Sequence, residues 1–142
     1  MAGASENARL IGHFYEEVFN NGHVEFADRV HGPDYRYHDM AGPDDVINHR
    51  DYMERNAGFA CAFPDRRVDI QDLIAVDDRV VARAVMRATH TGALATIAPT
   101  GRHVRLASTI IYRFANGRVA EEWEIFDKLG LYQQLGVTPP MG

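Results

Sequence analysis

Behind Ser5, a residue able to cap a helix, the apolar positions Leu10, Ile11, Phe14, Tyr15, Val18 and Phe19 recur three or four apart. This spacing gathers them on one face of a helix, and Asn20-Asn21-Gly22 ends it, because Asn and Gly accept the left-handed backbone that a helix C-terminus often needs. A short second helix through Phe26, Ala27 and Val30 stops at His31-Gly32-Pro33. Tyr35 to Asp39 alternates aromatic and polar side chains as a strand does. Gly42-Pro43-Asp44-Asp45 then reads as a turn whose aspartate caps a third helix, running from about Val46 to Ala62 with Tyr52, Met53, Ala57 and Ala60 before Phe63-Pro64 breaks it.

From Arg66 the pattern changes to β-branched and aromatic runs that predict four strands: Val68 to Ile74, Arg79 to His90, Val104 to Phe114 and Val119 to Asp127. Asp77-Asp78 turns the first pair. Asn116-Gly117 is a two-residue hairpin signal, since both of its positions require positive φ, so the late sheet is antiparallel. The connection from Thr91 to Arg102, with Gly92, Pro99 and Gly101, is long for a hairpin and is expected at a pocket rim. Leu129 to Leu135 forms a closing helix that Gly136 ends. Helices first and antiparallel strands later spell an α+β fold, with the helices on one side of the sheet.

Length and composition narrow this picture without redirecting it. The 142 residues suit one domain, 1–142, and 46% hydrophobic with 25% charged residues is ordinary for a chain that buries a core unaided. The net charge of −5 and the scattered basic residues (Arg66, Arg67, Arg79, Arg83, Arg87) speak against nucleic acid as a partner. The lone Cys61 lies in an apolar run and is expected to be a buried core thiol. No apolar stretch approaches the roughly 18 residues of a membrane span and no leader pattern opens the chain, so the expected location is the cytoplasm, with no membrane partner.

Chemistry concentrates at two strands. On Arg79 to His90, one face carries Val80, Ala82, Ala84, Met86, Ala88 and His90, small enough either to leave a concave pocket or to let a helix pack closely. On the last strand, Glu121, Trp123, Ile125 and Asp127 share one parity and Glu122, Glu124 and Phe126 the other. An aspartate beside a tryptophan and an isoleucine loses hydration and can exchange protons near neutral pH, whereas Asp127 taken by itself is better placed to cap the closing helix. His38, His90 and His103 stand at strand ends, where each is either a pocket-rim group or an ordinary exposed histidine. The seven histidines form no HExxH pair and no cluster with cysteines, so no metal site is expected, and GxGxxG, Walker, GxSxG and CxxC motifs are lacking.

Ala62-Phe63-Pro64-Asp65, Asp77-Asp78-Arg79-Val80-Val81-Ala82-Arg83, Thr89-His90-Thr91-Gly92, Pro99-Thr100-Gly101-Arg102 and Glu121-Glu122-Trp123 with Asp127 and Leu129, taken in order, resemble the SnoaL-like polyketide cyclase family of the nuclear-transport-factor-2-like superfamily. The resemblance implies a cone-shaped α+β barrel in which three N-terminal helices and a strongly curved, mainly antiparallel sheet enclose a pocket, often in a homo-oligomer. It also implies an enzyme without metal or organic cofactor, in which a last-strand aspartate is the acid/base for aldol ring closure of an aromatic polyketide. Asp127 matches that position, which favours catalysis over capping. The family's cyclases carry a pocket histidine on the preceding strand, where this chain has Ile110. Related hydroxylases of the same fold oxygenate the ring system, and that reading calls for a separate reductase. The resemblance thus implies an apolar polycyclic substrate, with Asp127 assisted by His90, His38 or His103, and with Trp123, Tyr37 and Met86 holding the rings. Epoxide hydrolysis, ketosteroid-type isomerisation and non-catalytic ligand binding are the alternatives on such a fold.

Overall fold

A computed structural model describes residues 3–41 and 45–138. The apolar face of the first helix, α1 (Ala4–Phe14), continues through a π-helical turn at Tyr15–Asn20 before Gly22 takes φ +74°. Asn20 holds this end: its side chain accepts from Val68 N at 2.7 Å and donates to Val68 O at 3.0 Å. Gly3, not Ser5, occupies the N-cap position. A 3₁₀ turn (Val24–Phe26) leads into α2 (Ala27–Val30), and the chain passes straight into β1 (His31–Asp39), so His31 opens a strand as well as closing a helix. Of the predicted turn, Gly42, Pro43 and Asp44 lie outside the described residues. Asp45 begins a short strand, β2 (Asp45–Ile47), and the cap of α3 (His49–Ala62) is instead Asn48, whose Oδ1 accepts from Asp51 N at 2.9 Å.

The four later strands form as the alternation predicts: β3 (Arg67–Val76), β4 (Arg79–Thr89), β5 (His103–Ala115) and β6 (Arg118–Phe126), followed by α4 (Lys128–Leu135). Asn116 (φ 53°) and Gly117 (φ 76°) take the two left-handed positions of the β5–β6 turn. The sheet runs β2-β1-β6-β5-β4-β3; its pairs are antiparallel except β1 with β6, which are parallel. The expectation of a cone-shaped barrel with a strongly curved sheet is corrected: the six strands form an open sheet, with β2 and β3 as its edges, that is not strongly curled.

The small-residue face of β4 resolves both ways. Val80, Ala82 and Ala84 are fully buried in one cluster with Ile11, Phe14 and Val18, where methyl groups let the helix settle close to the sheet. Each such large side chain removed from water contributes about 2 kcal/mol. Towards the other end of β4, Met86 and Ala88 join Phe63, Val104, Leu106, Leu131 and Leu135 in a second cluster under α4. No helix among the described residues is long and apolar enough to cross a membrane.

Candidate active site

A cavity of about 650 Å³ opens between the inner face of the sheet, the π-helical turn Tyr15–Asn20 and α3. That volume falls within the range of small-molecule sites and admits several fused rings. Its walls are mainly apolar and aromatic, with Phe19, Phe59, Met86, Leu106, Ile110 and Phe126 among them. Ala93, Leu94 and Ala95 close one side, so the connection after His90 is a rim as its length suggests. This loop lies tightly on α3: Thr91 N and Gly92 N both donate to Ala62 O at 3.1 Å, and a Cβ on Gly92 would meet Cys61 O at 1.9 Å. Cys61 is exposed and lines the cavity, which corrects the expected core thiol.

Two carboxyl groups enter this apolar space from β6. Glu122 is 2% exposed, and Tyr35 Oη donates a hydrogen bond to its Oε1. Glu124 accepts from Tyr37 Oη at 2.7 Å. The pairs match because Tyr35 and Tyr37 point inward from β1 while the parallel register sets Tyr37 beside Glu122. Loss of hydration pushes the Glu122 carboxyl up to about 8 and also raises Glu124. Burial likewise holds the hydroxyls of Tyr15, Tyr35, Tyr37, Tyr52 and Tyr112 well above the ordinary tyrosine range, so all five are hydrogen-bond donors at neutral pH. Tyr15 and Tyr112 join their hydroxyls at 2.9 Å; only one proton is used between them, and the other remains for a ligand. Two arginines border the space. Arg55 bridges Asp45 (2.8 Å) and Asp39 (3.5 Å) across Tyr37, and Arg66 lies over the Phe19 ring, 5.1 Å from its centre.

Of the residues singled out from sequence, Tyr37, Met86 and Ile110 line the cavity. The others do not. Asp127 is exposed, and its Oδ1 accepts from Gly130 N at 2.9 Å, so it is the N-cap of α4, the role its position alone favours. Trp123 and His38 stack on each other outside the cavity, their rings 9° apart in plane, with His38 Nε2 2.6 Å from Glu121. His90 is fully buried against Phe63, and its Nδ1 accepts from Thr100 N at 3.1 Å, which ties down the rim loop. His103 is exposed, 2.9 Å from Thr89 Oγ1.

For Trp123 and Asp127 the cause is one extra residue in β6. Arg113 pairs with Glu121 but Phe114 pairs with Val119, so Ala120 bulges and the alternation inverts across it. Val119 faces the core, and beyond the bulge the inward set is Glu122, Glu124 and Phe126. Simple alternation carries the eye to Trp123 and Asp127 instead. The signal that does point to the site is the match of Tyr35-x-Tyr37 with Glu122-x-Glu124. Among the described residues no group of three or more His, Cys, Asp or Glu is placed to hold a metal ion.

The model of the SnoaL-like polyketide cyclase family matches residues 9–135. No curated protein matches. Among solved structures, the chain is similar to AclR, a candidate hydroxylase from Streptomyces galilaeus, at 25% identity and TM-score 0.86, covering 98% of this chain and 90% of that one. It is also similar to a candidate polyketide cyclase from Acidithiobacillus ferrooxidans, at 32% identity and TM-score 0.82, covering 96% and 98%. IdmH, a candidate polyketide cyclase from Streptomyces antibioticus, matches at 29% identity and TM-score 0.80, covering 92% and 99%. With a family match over nearly its whole length and the fold of these relatives, this chain belongs to the SnoaL-like polyketide cyclase family.

Proposed function

We propose that the protein is an acid/base enzyme that closes a ring of an aromatic polyketide-type substrate by an intramolecular aldol addition. The observation that carries this reading is the pair Glu122 and Glu124, held on one strand face by tyrosine hydroxyls inside an apolar cavity wide enough for fused rings. Their Cα atoms stand about 7 Å apart, as for any two residues at i and i+2 of a strand.

Glu124, the less deeply placed carboxylate, takes a proton from carbon next to a substrate carbonyl. The enolate oxygen receives a hydrogen bond from the free proton of the Tyr15–Tyr112 pair. Arg66, charged and half-buried at the wall, lowers the energy of the negative charge. The enolate carbon then bonds to a second carbonyl carbon, and Glu122, which its surroundings keep protonated near neutral pH, gives its proton to the new alkoxide oxygen. The proton lost from carbon balances the proton gained by oxygen, so the product is an isomer of the substrate.

A second reading, ring hydroxylation, is favoured by the likeness to AclR and by Ile110 standing where the resemblance places the cyclases' histidine. Glu124 would then ionise a ring hydroxyl, and dioxygen with electrons from a separate reductase would supply the rest.

Mass spectrometry after incubation in air with a tricyclic polyketide ester and, separately, a tetracyclic intermediate distinguishes the two. Ring closure yields unchanged mass; hydroxylation adds one oxygen. In either case Glu124→Gln is expected to lower kcat by about 10²-fold or more while ligand binding persists. Full turnover in that variant would remove the role assigned to Glu124.

A further inference from the structure

Glu122 lies deep in the cavity, so a substrate that fills the space separates its carboxyl from water at the mouth. Polar groups continue behind it. His31, 4% exposed, stacks face to face on Tyr35 with centroids 3.7 Å apart, and its Nε2 lies 3.8 Å from Glu122 Oε1. That nitrogen has no hydrogen-bond partner among the described residues. On the other side of the ring, His31 Nδ1 is 2.8 Å from His49 Nδ1, and His49 Nε2 is 2.9 Å from Asp28 Oδ1. The side chains of His49 and Asp28 are 35% and 68% exposed, and none of Asp28, His31 and His49 lines the cavity. The row Glu122, His31, His49, Asp28 thus runs from the cavity to solvent with one open step, which a shift of about 1 Å closes.

We propose that this row is a proton relay that connects Glu122 with solvent by a route outside the substrate cavity. It rests on the reading of Glu122 as the acid of the reaction. With His49 neutral and donating from Nε2 to Asp28, its Nδ1 is a lone pair, so His31 donates from Nδ1 and leaves its own Nε2 lone pair towards Glu122. When the Glu122 proton passes to His31 Nε2, the His31 Nδ1 proton passes to His49 Nδ1 and the His49 Nε2 proton to Asp28 or water. One proton has left Glu122, and both rings end as the opposite neutral tautomer. The same sequence reversed reloads the acid after each turnover. The His31 ring holds no charge at rest, because burial and the neighbouring His49 pull it down to about 3.

The groups facing Glu122 from the surrounding elements are Tyr35 and Tyr37 of β1, Tyr52 of α3, Tyr112 of β5, Tyr15 of the π-helical turn and Glu124 of its own strand. The tyrosines stay protonated, so Glu124 is the neighbour whose charge changes around it. His31 is faced by Glu122, His49, Tyr35, Tyr52 and Phe14.

NMR of the full chain with ¹⁵N-histidine and ¹³C-glutamate, titrated from about pH 5 to about pH 10, reads each ring tautomer alongside the Glu122 carboxyl. The expected result is that His31 stays neutral and that the His31 and His49 rings exchange tautomers together as Glu122 titrates near its raised pKa of about 8. Glu122→Gln is expected to freeze both rings in one tautomer, and His49→Ala to abolish the His31 exchange while Glu122 still titrates. A His31 that keeps one tautomer through the Glu122 transition, that becomes an imidazolium there, or a Glu122 with no transition in this range overturns the relay. A fixed His31 tautomer with turnover lost in Glu122→Gln removes the relay and leaves the acid. Coupled exchange with full turnover in Glu122→Gln removes the acid and leaves the relay.

Discussion

At Glu122 a single carboxyl ties the proposed chemistry to stability. A carboxyl buried among tyrosines exists more easily as the neutral acid, and this is why its pKa rises from the ordinary 4.5 to about 8. Between those two values the native protein keeps a proton that the unfolded chain has released, so this residue's contribution to stability falls as pH rises through the interval. His31 has the opposite slope: kept neutral down to about 3 against an ordinary 6.5, it costs stability as pH falls across that range. Urea unfolding of wild type and Glu122→Gln over this pH series is therefore expected to show the wild type losing a few kcal/mol relative to the variant between the ordinary and the raised pKa of Glu122. A constant difference would mean that the carboxyl meets no desolvation cost. Cys61 is exposed although its neighbours Gly58 to Phe63 are largely apolar, because hydropathy along a helix does not say which of its faces borders an opening.

Individual elements decide which side chains reach the cavity. The Asn116-Gly117 hairpin was legible because two left-handed residues in a row are a local steric demand. The bulge at Ala120, three residues later, was not, because nothing in an alanine announces that it will be skipped by the opposite strand. It turns Glu122 and Glu124, and not Trp123 and Asp127, towards the cavity. Asp127 is left with α4, where an N-cap hydrogen bond contributes about 1 kcal/mol. Asp127→Ala is expected to lower the melting temperature by a few degrees, Asp127→Asn to retain most of the stability, and both to keep turnover within a few-fold of wild type. Loss of turnover in Asp127→Asn with unchanged stability would restore the catalytic role to this residue. Gly130 shares the motif, since a Cβ there would meet Asp127 Oδ2 at 2.1 Å.

Across the whole molecule, an open sheet, α3 and the 91–102 connection together leave a large cavity whose lining includes the exposed residue Cys61. This gives a test of occupancy that requires no turnover. A polycyclic aromatic ligand in the cavity is expected to slow alkylation of Cys61 by at least about tenfold at saturation, since a bound ligand shifts the site by mass action. Mass spectrometry of the labelled protein measures the rate, and an unchanged rate with ligand bound would place that ligand elsewhere. The family assignment was within reach of the sequence for a related reason: its short motifs lie at turns and strand ends, where local steric demands restrict the residue, and they keep their order along the chain.

The sequence by itself determined the α+β order of elements, the two late hairpin turns, the inward face of β4 and the rim loop, because each depends on contacts between near neighbours and on periods of two or 3.6 residues. Only the tertiary structure decided the rest. The parallel pairing of β1 with β6, the inverted parity of β6, the open and weakly curled sheet and the meeting of residues 28, 31, 49 and 122 all depend on register between distant segments. Register is settled by which side chains fill the space between elements, and a shift of one residue exchanges the two faces of a strand.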